Sequence, residues 1–141
     1  MEIEESRETK EARETRGVVE AFVAAINSDR AEKVGGPLAG NTVFIDSLGK
    51  RIEGKQAIVT AWRAYFQLFP DYRIEVDALF TDGREAMLHG RASGTLHRGG
   101  RAVEGGRWEI PAAWRASTDS RRVTLWQVYA DNKPVYALLG Q

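Results

Sequence analysis

From Asp71 to Ala130 apolar and polar residues alternate with a period of two, and this rhythm limits the folds open to the chain more than any other feature. Tyr72, Ile74, Val76, Ala78 and Phe80 share one parity, and Asp82-Gly83 then gives a hairpin turn signal. Residues 84–97 read as a second long strand, in which Gly90 and Gly94 predict bulges or strong bending. Arg98-Gly99-Gly100 turns into a third strand, where Trp108, Ile110, Ala112 and Trp114 share a parity. Thr118-Asp119-Ser120 turns again. The last strand, 122–130, sends Thr124, Trp126 and Val128 to one face and Leu125, Gln127 and Tyr129 to the other.

The first half is mainly helical. Gly54 opens a long helix with Ile58, Trp62, Tyr65, Phe66 and Phe69 at spacings of three and four, and Pro70 stops it. Before it lie a short strand at 42–46 ending in Asp46, a Gly49 turn, and a strand around 51–53. An earlier helix begins near Gly17, with Val18, Phe22, Ala25 and Ile26 on one stripe. Asp29 is placed to cap a short second helix through Val34, before Gly35-Gly36-Pro37 breaks the chain. Residues 2–16 hold six Glu against four Arg or Lys. Residues 1–16 therefore read as a charged helical extension or a disordered tail, and 17–141 as a single domain. The order of elements predicts an α+β cone. Its strongly bent, mostly antiparallel sheet wraps around a long helix, and the N-terminal helices close a pocket at the open end.

Lys and Arg number 20 and Asp and Glu 20 in 141 residues, so no basic excess points to nucleic acid. Cysteine is absent, which excludes disulfides and thiolate chemistry. No apolar run approaches the ~18 residues of a membrane span. The acidic N-terminus lacks the apolar core of a signal peptide, so a cytoplasmic location is expected. His89 and His97 stand eight residues apart without a clear third ligand, so no metal and no cofactor are expected. The glycine pairs at 99–100 and 105–106 lack the Gly-Lys-Ser/Thr ending of a phosphate loop.

Asp46 is the leading candidate for chemistry. One reading makes it a general base among apolar neighbours. The other makes it a strand-end residue bonding the turn at 47–49. His89 or His97 could form an acid–base dyad with it, but their parity follows Arg91 and Ser93 and places both outside unless the glycines shift the register. Phe22, Phe44, Trp62, Phe66, Trp108, Ile110, Ala112, Trp114, Trp126 and Val128 are the expected ligand-binding wall, with Asp46 offered as acceptor for the indole N–H groups. Arg91, Arg107, Arg115, Gln127 and Tyr129 would form the opposite face, a mixture suited to a dimer interface.

V-V-E-A-F-V-A-A-I-N at 18–27, T-V-F-I-D at 42–46 and G-K-Q-A-I at 54–58 carry a resemblance, together with F-P-D at 69–71, A-S-G-T at 92–95 and V-T-L-W-Q-V-Y-A-D at 123–131. In their order and spacing they resemble the nuclear-transport-factor-like superfamily, in particular its SnoaL-like polyketide cyclase and ketosteroid-isomerase-like group. The resemblance implies a cone, a homodimer through the outer sheet face, and a small hydrophobic ligand of aromatic, polyketide or terpenoid kind. It also implies cofactor-free isomerisation, cyclisation or dehydration with Asp46 as base. The oxyanion donors of ketosteroid isomerase fall on Phe22 and Ala112, which cannot donate, and one such donor is worth about 2.7–4 kcal/mol. Val128 replaces the inner acid of the final-strand H-x-D-Y-W-D stretch found in many SnoaL-like sequences. No arginine flanked by two aspartates, as in epoxide hydrolases of this fold, is identified. The alternative is therefore a non-catalytic ligand-binding or dimerisation module.

Overall fold

Helix α1 spans Lys10–Asn27, α2 Ala31–Val34, strand β1 Leu38–Ile45, β2 Arg51–Glu53 and helix α3 Lys55–Leu68. Strands β3 (Arg73–Asp82), β4 (Glu85–Arg98), β5 (Arg101–Thr118) and β6 (Val123–Ala130) follow, and α4 (Lys133–Leu138) ends the order. The structure, a computed structural model, describes residues 8–140. The six strands form one curved, unclosed sheet in the order β2-β1-β6-β5-β4-β3, the α+β cone expected. All neighbours are antiparallel except β1 and β6, which run parallel.

The turn chemistry explains the meander. Gly99 and Gly100 take φ of +59° and +78°, the double left-handed conformation of a two-residue hairpin turn. Gly90 bends the sheet: a Cβ there would stand 1.8 Å from the Glu75 carbonyl oxygen, opposite a register shift between Val76 and Ala78. Helix α3 buries Ile58, Trp62 and Phe66 at helical spacing. On the outer face Arg91 pairs with Glu75, Asp77 and Glu109, all exposed enough for each pair to add little stability.

Several elements differ from the sequence reading. Helix α1 begins well before Gly17, where the Thr9 side chain caps the Ala12 amide at 3.0 Å. Ala12 and Thr15 are buried, the Thr15 hydroxyl donates to the Gly83 carbonyl at 2.7 Å, and Arg84 pairs with Glu11 and Glu14. Residues 10–16 therefore belong to the packed body and are not an extension; residues 1–7 of the expected tail lie outside the described residues. Asp29 does not cap α2, whose N-cap is Arg30 without a side-chain bond. Asp29 instead takes φ +58°, and its buried Oδ1 has no partner among the described residues. Burial, then the nearby Asp71 carboxylate, raises its pKa to about 6. Strand β1 starts at Leu38, ahead of residue 42, and α4 was not foreseen, although Pro134 in its first turn is a helix-start residue.

Candidate functional site

The four central strands set their inward side chains in rows that cross the sheet. Leu88, Trp114 and Val128 are paired in one row, and Gly90, Ala112 and Ala130 in the next. The first row is bulky and the second small. Ala112 and Ala130 of the small row, with Trp114 and Val128 of the bulky one, line a cavity of about 270 Å³. Helix α3 contributes Ile58, Ala61, Trp62 and Tyr65 to its wall, α1 contributes Ile26, and α4 with its flank adds Val135, Tyr136 and Leu139.

Of the expected wall, Phe44, Trp62, Trp108, Ile110, Ala112, Trp114, Trp126 and Val128 line this cavity. Phe22 and Phe66 do not. Phe22 is fully buried edge-on to Trp126 at 4.8 Å, and Phe66 packs behind Trp62 at 5.3 Å, so both are core residues supporting the wall. The indole N–H groups of Trp62 and Trp108 are buried with no acceptor among the described residues, so Asp46 does not serve them as the sequence reading supposed.

Asp46 stands on the wall just beyond the end of β1. Its Oδ1 accepts from the Leu48 and Lys50 amides, both at 2.9 Å. The same turn is closed by the Asp46 amide on the Lys50 carbonyl, 2.9 Å, and the Gly49 amide on the Asp46 carbonyl, 3.0 Å. The turn-bonding reading of Asp46 therefore holds for one of its oxygens. One oxygen organises the turn, while Oδ2 makes no hydrogen bond among the described residues. Beside it the Asn132 amide donates to the Ser47 hydroxyl at 2.6 Å, tying the start of α4 to the β1–β2 turn.

Neither histidine reaches this wall. His89 is exposed on the outer face, stacked on Phe80 at 6.3 Å. His97 Nδ1 meets the Thr95 carbonyl at 2.9 Å. The dyad with Asp46 does not form, because the bulge at Val76–Ala78 lies in β3 and leaves the parity of His89 outward. A second register shift lies between Thr95 and His97, and it too leaves His97 outside the wall.

The sequence reading missed three tyrosines. Tyr65, Tyr72 and Tyr136 all line the cavity. Tyr65 and Tyr72 meet edge-on at 5.0 Å, and Trp62 stands 5.8 Å from each. Burial, then the neighbouring Tyr136 phenol, pushes Tyr65 up; burial, then Tyr65, pushes Tyr72 well above the ordinary phenol range. Both therefore stay protonated and neutral at ordinary pH. Helical spacing from Trp62 and strand parity with Ile74 put Tyr65 and Tyr72 on inward faces, but nothing local separates a tyrosine in a core from one beside a void. Tyr136 rides on the helix the sequence did not announce.

The SnoaL-like domain family matches residues 19–135. No curated protein matches the chain. Among solved structures, one described as a SnoaL-like polyketide cyclase from Jannaschia sp. CCS1 superposes with a TM-score of 0.81 at 12% identity, covering 94% of this chain and 96% of that one. An LEH-like epoxide hydrolase from M. tuberculosis gives 0.74 at 22% identity, over 94% and 87%. A protein of ketosteroid isomerase-like fold from Catenulispora acidiphila, in complex with trimethylamine, gives 0.74 at 18%, over 87% and 92%. At these identities the structures show a shared fold. With the family match running from α1 into α4, the chain belongs to the SnoaL-like domain family.

Proposed function

We propose that this chain binds a small, flat hydrophobic molecule in the aromatic cavity. The observation that carries the reading is a void of about 270 Å³ walled by Trp62, Trp108, Trp114 and Trp126, with Asp46 its one acidic side chain among the described residues. That volume sits near the lower end of the ~300–1,000 Å³ usual for ligand pockets, so the ligand is small. The family's association with polyketide cyclisation supports an aromatic, polyketide or terpenoid ligand. Among the described residues no arginine lines the cavity, so the arginine–aspartate set associated with epoxide opening has no counterpart there. Titration of the protein with a panel of two- and three-ring aromatic and terpenoid compounds should quench tryptophan fluorescence. Silence across the panel would remove the binding reading.

A second reading adds catalysis. The pinned Oδ1 holds the Asp46 carboxylate in one orientation, and the uncommitted Oδ2 is free to take a proton from a bound carbon acid. Cofactor-free isomerisation, cyclisation or dehydration are the reactions such a base serves. Asp46→Asn keeps an oxygen for the turn amides and removes the base. Turnover should fall by about 10²–10⁴ while ligand affinity is kept. Unchanged turnover would remove Asp46 as the base, and ligand binding without turnover in the wild type would leave the site a binding module.

We also propose a homodimer through the outer sheet face. Phe80 is 62% exposed, Met87 44% and Tyr129 43%, alongside Arg91 and Arg115. Sedimentation at high concentration should show twice the chain mass.

A further inference from the structure

Outside the mouth of the cavity runs a groove of about 440 Å³. It shares Ser47, Ala130, Asn132 and Tyr136 with the cavity wall, so the two spaces meet at these residues. The 2.6 Å bond from the Asn132 amide to the Ser47 hydroxyl joins two of them. Beyond them the groove runs over Leu48, from the β1–β2 turn, and Ala137, from α4. Leu48 is 76% exposed, more than any other large apolar side chain among the described residues. An exposed leucine by itself says little, because much of any protein surface is apolar. This one is held in place: its amide donates to Asp46 Oδ1 at 2.9 Å, in a turn where Gly49 takes φ +86°. The groove offers little to an ionic group. Its two charges, Asp131 and Lys133, are opposite in sign, and Asp131 Oδ1 accepts from the Lys133 amide at 3.0 Å. The remaining surface of Leu48, Ala130 and Ala137 favours a hydrocarbon. The cavity alone lies just below the ~300–1,000 Å³ usual for ligand pockets, and the groove carries the joined space into that range.

We propose that the groove holds a flexible aliphatic chain borne by the ligand whose ring system fills the cavity. The inference rests on the binding reading above and extends it: the ligand class is a flat ring with a hydrocarbon tail. The aromatic wall encloses the ring. The tail leaves past Ser47 and Asn132 and lies against Leu48 and Ala137. A saturated chain suits this path because it is slimmer than a fused ring and turns at each single bond.

Quinolines bearing a methyl or a butyl chain at the same ring position share a head and differ only in the tail. Both are uncharged at pH 7.5, and each is titrated calorimetrically into the full chain. A fully buried methylene is worth about fourfold in affinity, so a groove open on one side should give about twofold per methylene. The butyl compound should therefore bind about eightfold more tightly than the methyl. Leu48→Ser and Ala137→Glu change the groove and leave the enclosed wall as it is; both side chains are exposed, so neither change disturbs the core. Each variant should hold the methyl compound at its wild-type affinity and cut the butyl advantage to about twofold or less. Equal affinity for the two compounds in the wild type would overturn the inference, as would an eightfold advantage that survives in either variant. A sedimenting mass that falls in Leu48→Ser while the butyl advantage is kept would assign the groove to a second copy of the chain and overturn it too. These outcomes leave binding in the cavity intact. If neither quinoline binds, the cavity reading itself fails and takes this inference with it.

Discussion

Two adjacent rows of one sheet behave in opposite ways. Leu88, Trp114 and Val128 fill their share of the cone, and Trp114 there is 1% exposed and stacked on Trp126 at 6.4 Å. Ala112 and Ala130, one row along, border the hollow with side chains too small to fill it, while Gly90 in that row faces the Glu75 backbone. Both rows are apolar and face the same way. What separates them is side-chain volume, and so large a void departs from the close packing usual in an interior. The comparison teaches that function in this chain is written in small residues as much as in the large aromatics beside them.

The largest effect comes from emptying the filled row. Trp114→Ala should destabilise the protein by about 3–5 kcal/mol, read as a lowered urea midpoint, because the cavity it leaves cannot collapse between paired strands. A loss under about 1 kcal/mol would mean that the row is not close-packed. Filling the empty row tests the converse. Ala112→Phe places a ring in existing space, so stability should change by less than the ~1–3 kcal/mol typical of overpacking, while ligand binding is abolished. If binding survives, the ligand lies elsewhere.

The smallest effect lies away from both rows, at Asp29. Its folded pKa of about 6 exceeds the unfolded value of 3.8. The folded state therefore binds the extra proton, and this contribution is complete below the unfolded pKa and lost as pH rises through 6. Asp29 is only partly buried, so screening holds the change to about 1 kcal/mol or less. Asn accepts the same left-handed backbone and carries no charge. Asp29→Asn should leave the urea midpoint nearly unchanged at pH 4 and raise it at pH 7.5. Equal midpoints for the two proteins at both pH values would contradict the shift.

The legible and illegible parts divide along the same line as the two rows. The parity of Trp108, Ile110, Ala112 and Trp114 could be read because strand side chains alternate strictly, and all four are buried. The same parity could not say that Phe22 would be core and Phe44 wall, since both are inward aromatics. The strand-end position of Asp46 is legible in the sequence, and so is its bonding of the turn at 47–49. Tyr65 and Tyr72 were seen as inward residues without their hydroxyls being weighed. Tyr136 was missed because six residues of helix, Lys133–Leu138, are too short for a periodic signal.

The sequence by itself determined the order of elements up to β6, the facing of β5, the hairpins at Gly83 and Gly99-Gly100, and the end of α3 at Pro70, because each depends on backbone preference or period within a few residues; the shift at Val76–Ala78, which turns Phe80 outward, lay beyond it. Only the tertiary structure decided where the cone stays hollow, which phenols border the hollow, and that Asp46 keeps one oxygen for its turn. Those outcomes depend on which residues the register sets side by side across strands far apart in the chain, and volume adds up only once that register exists.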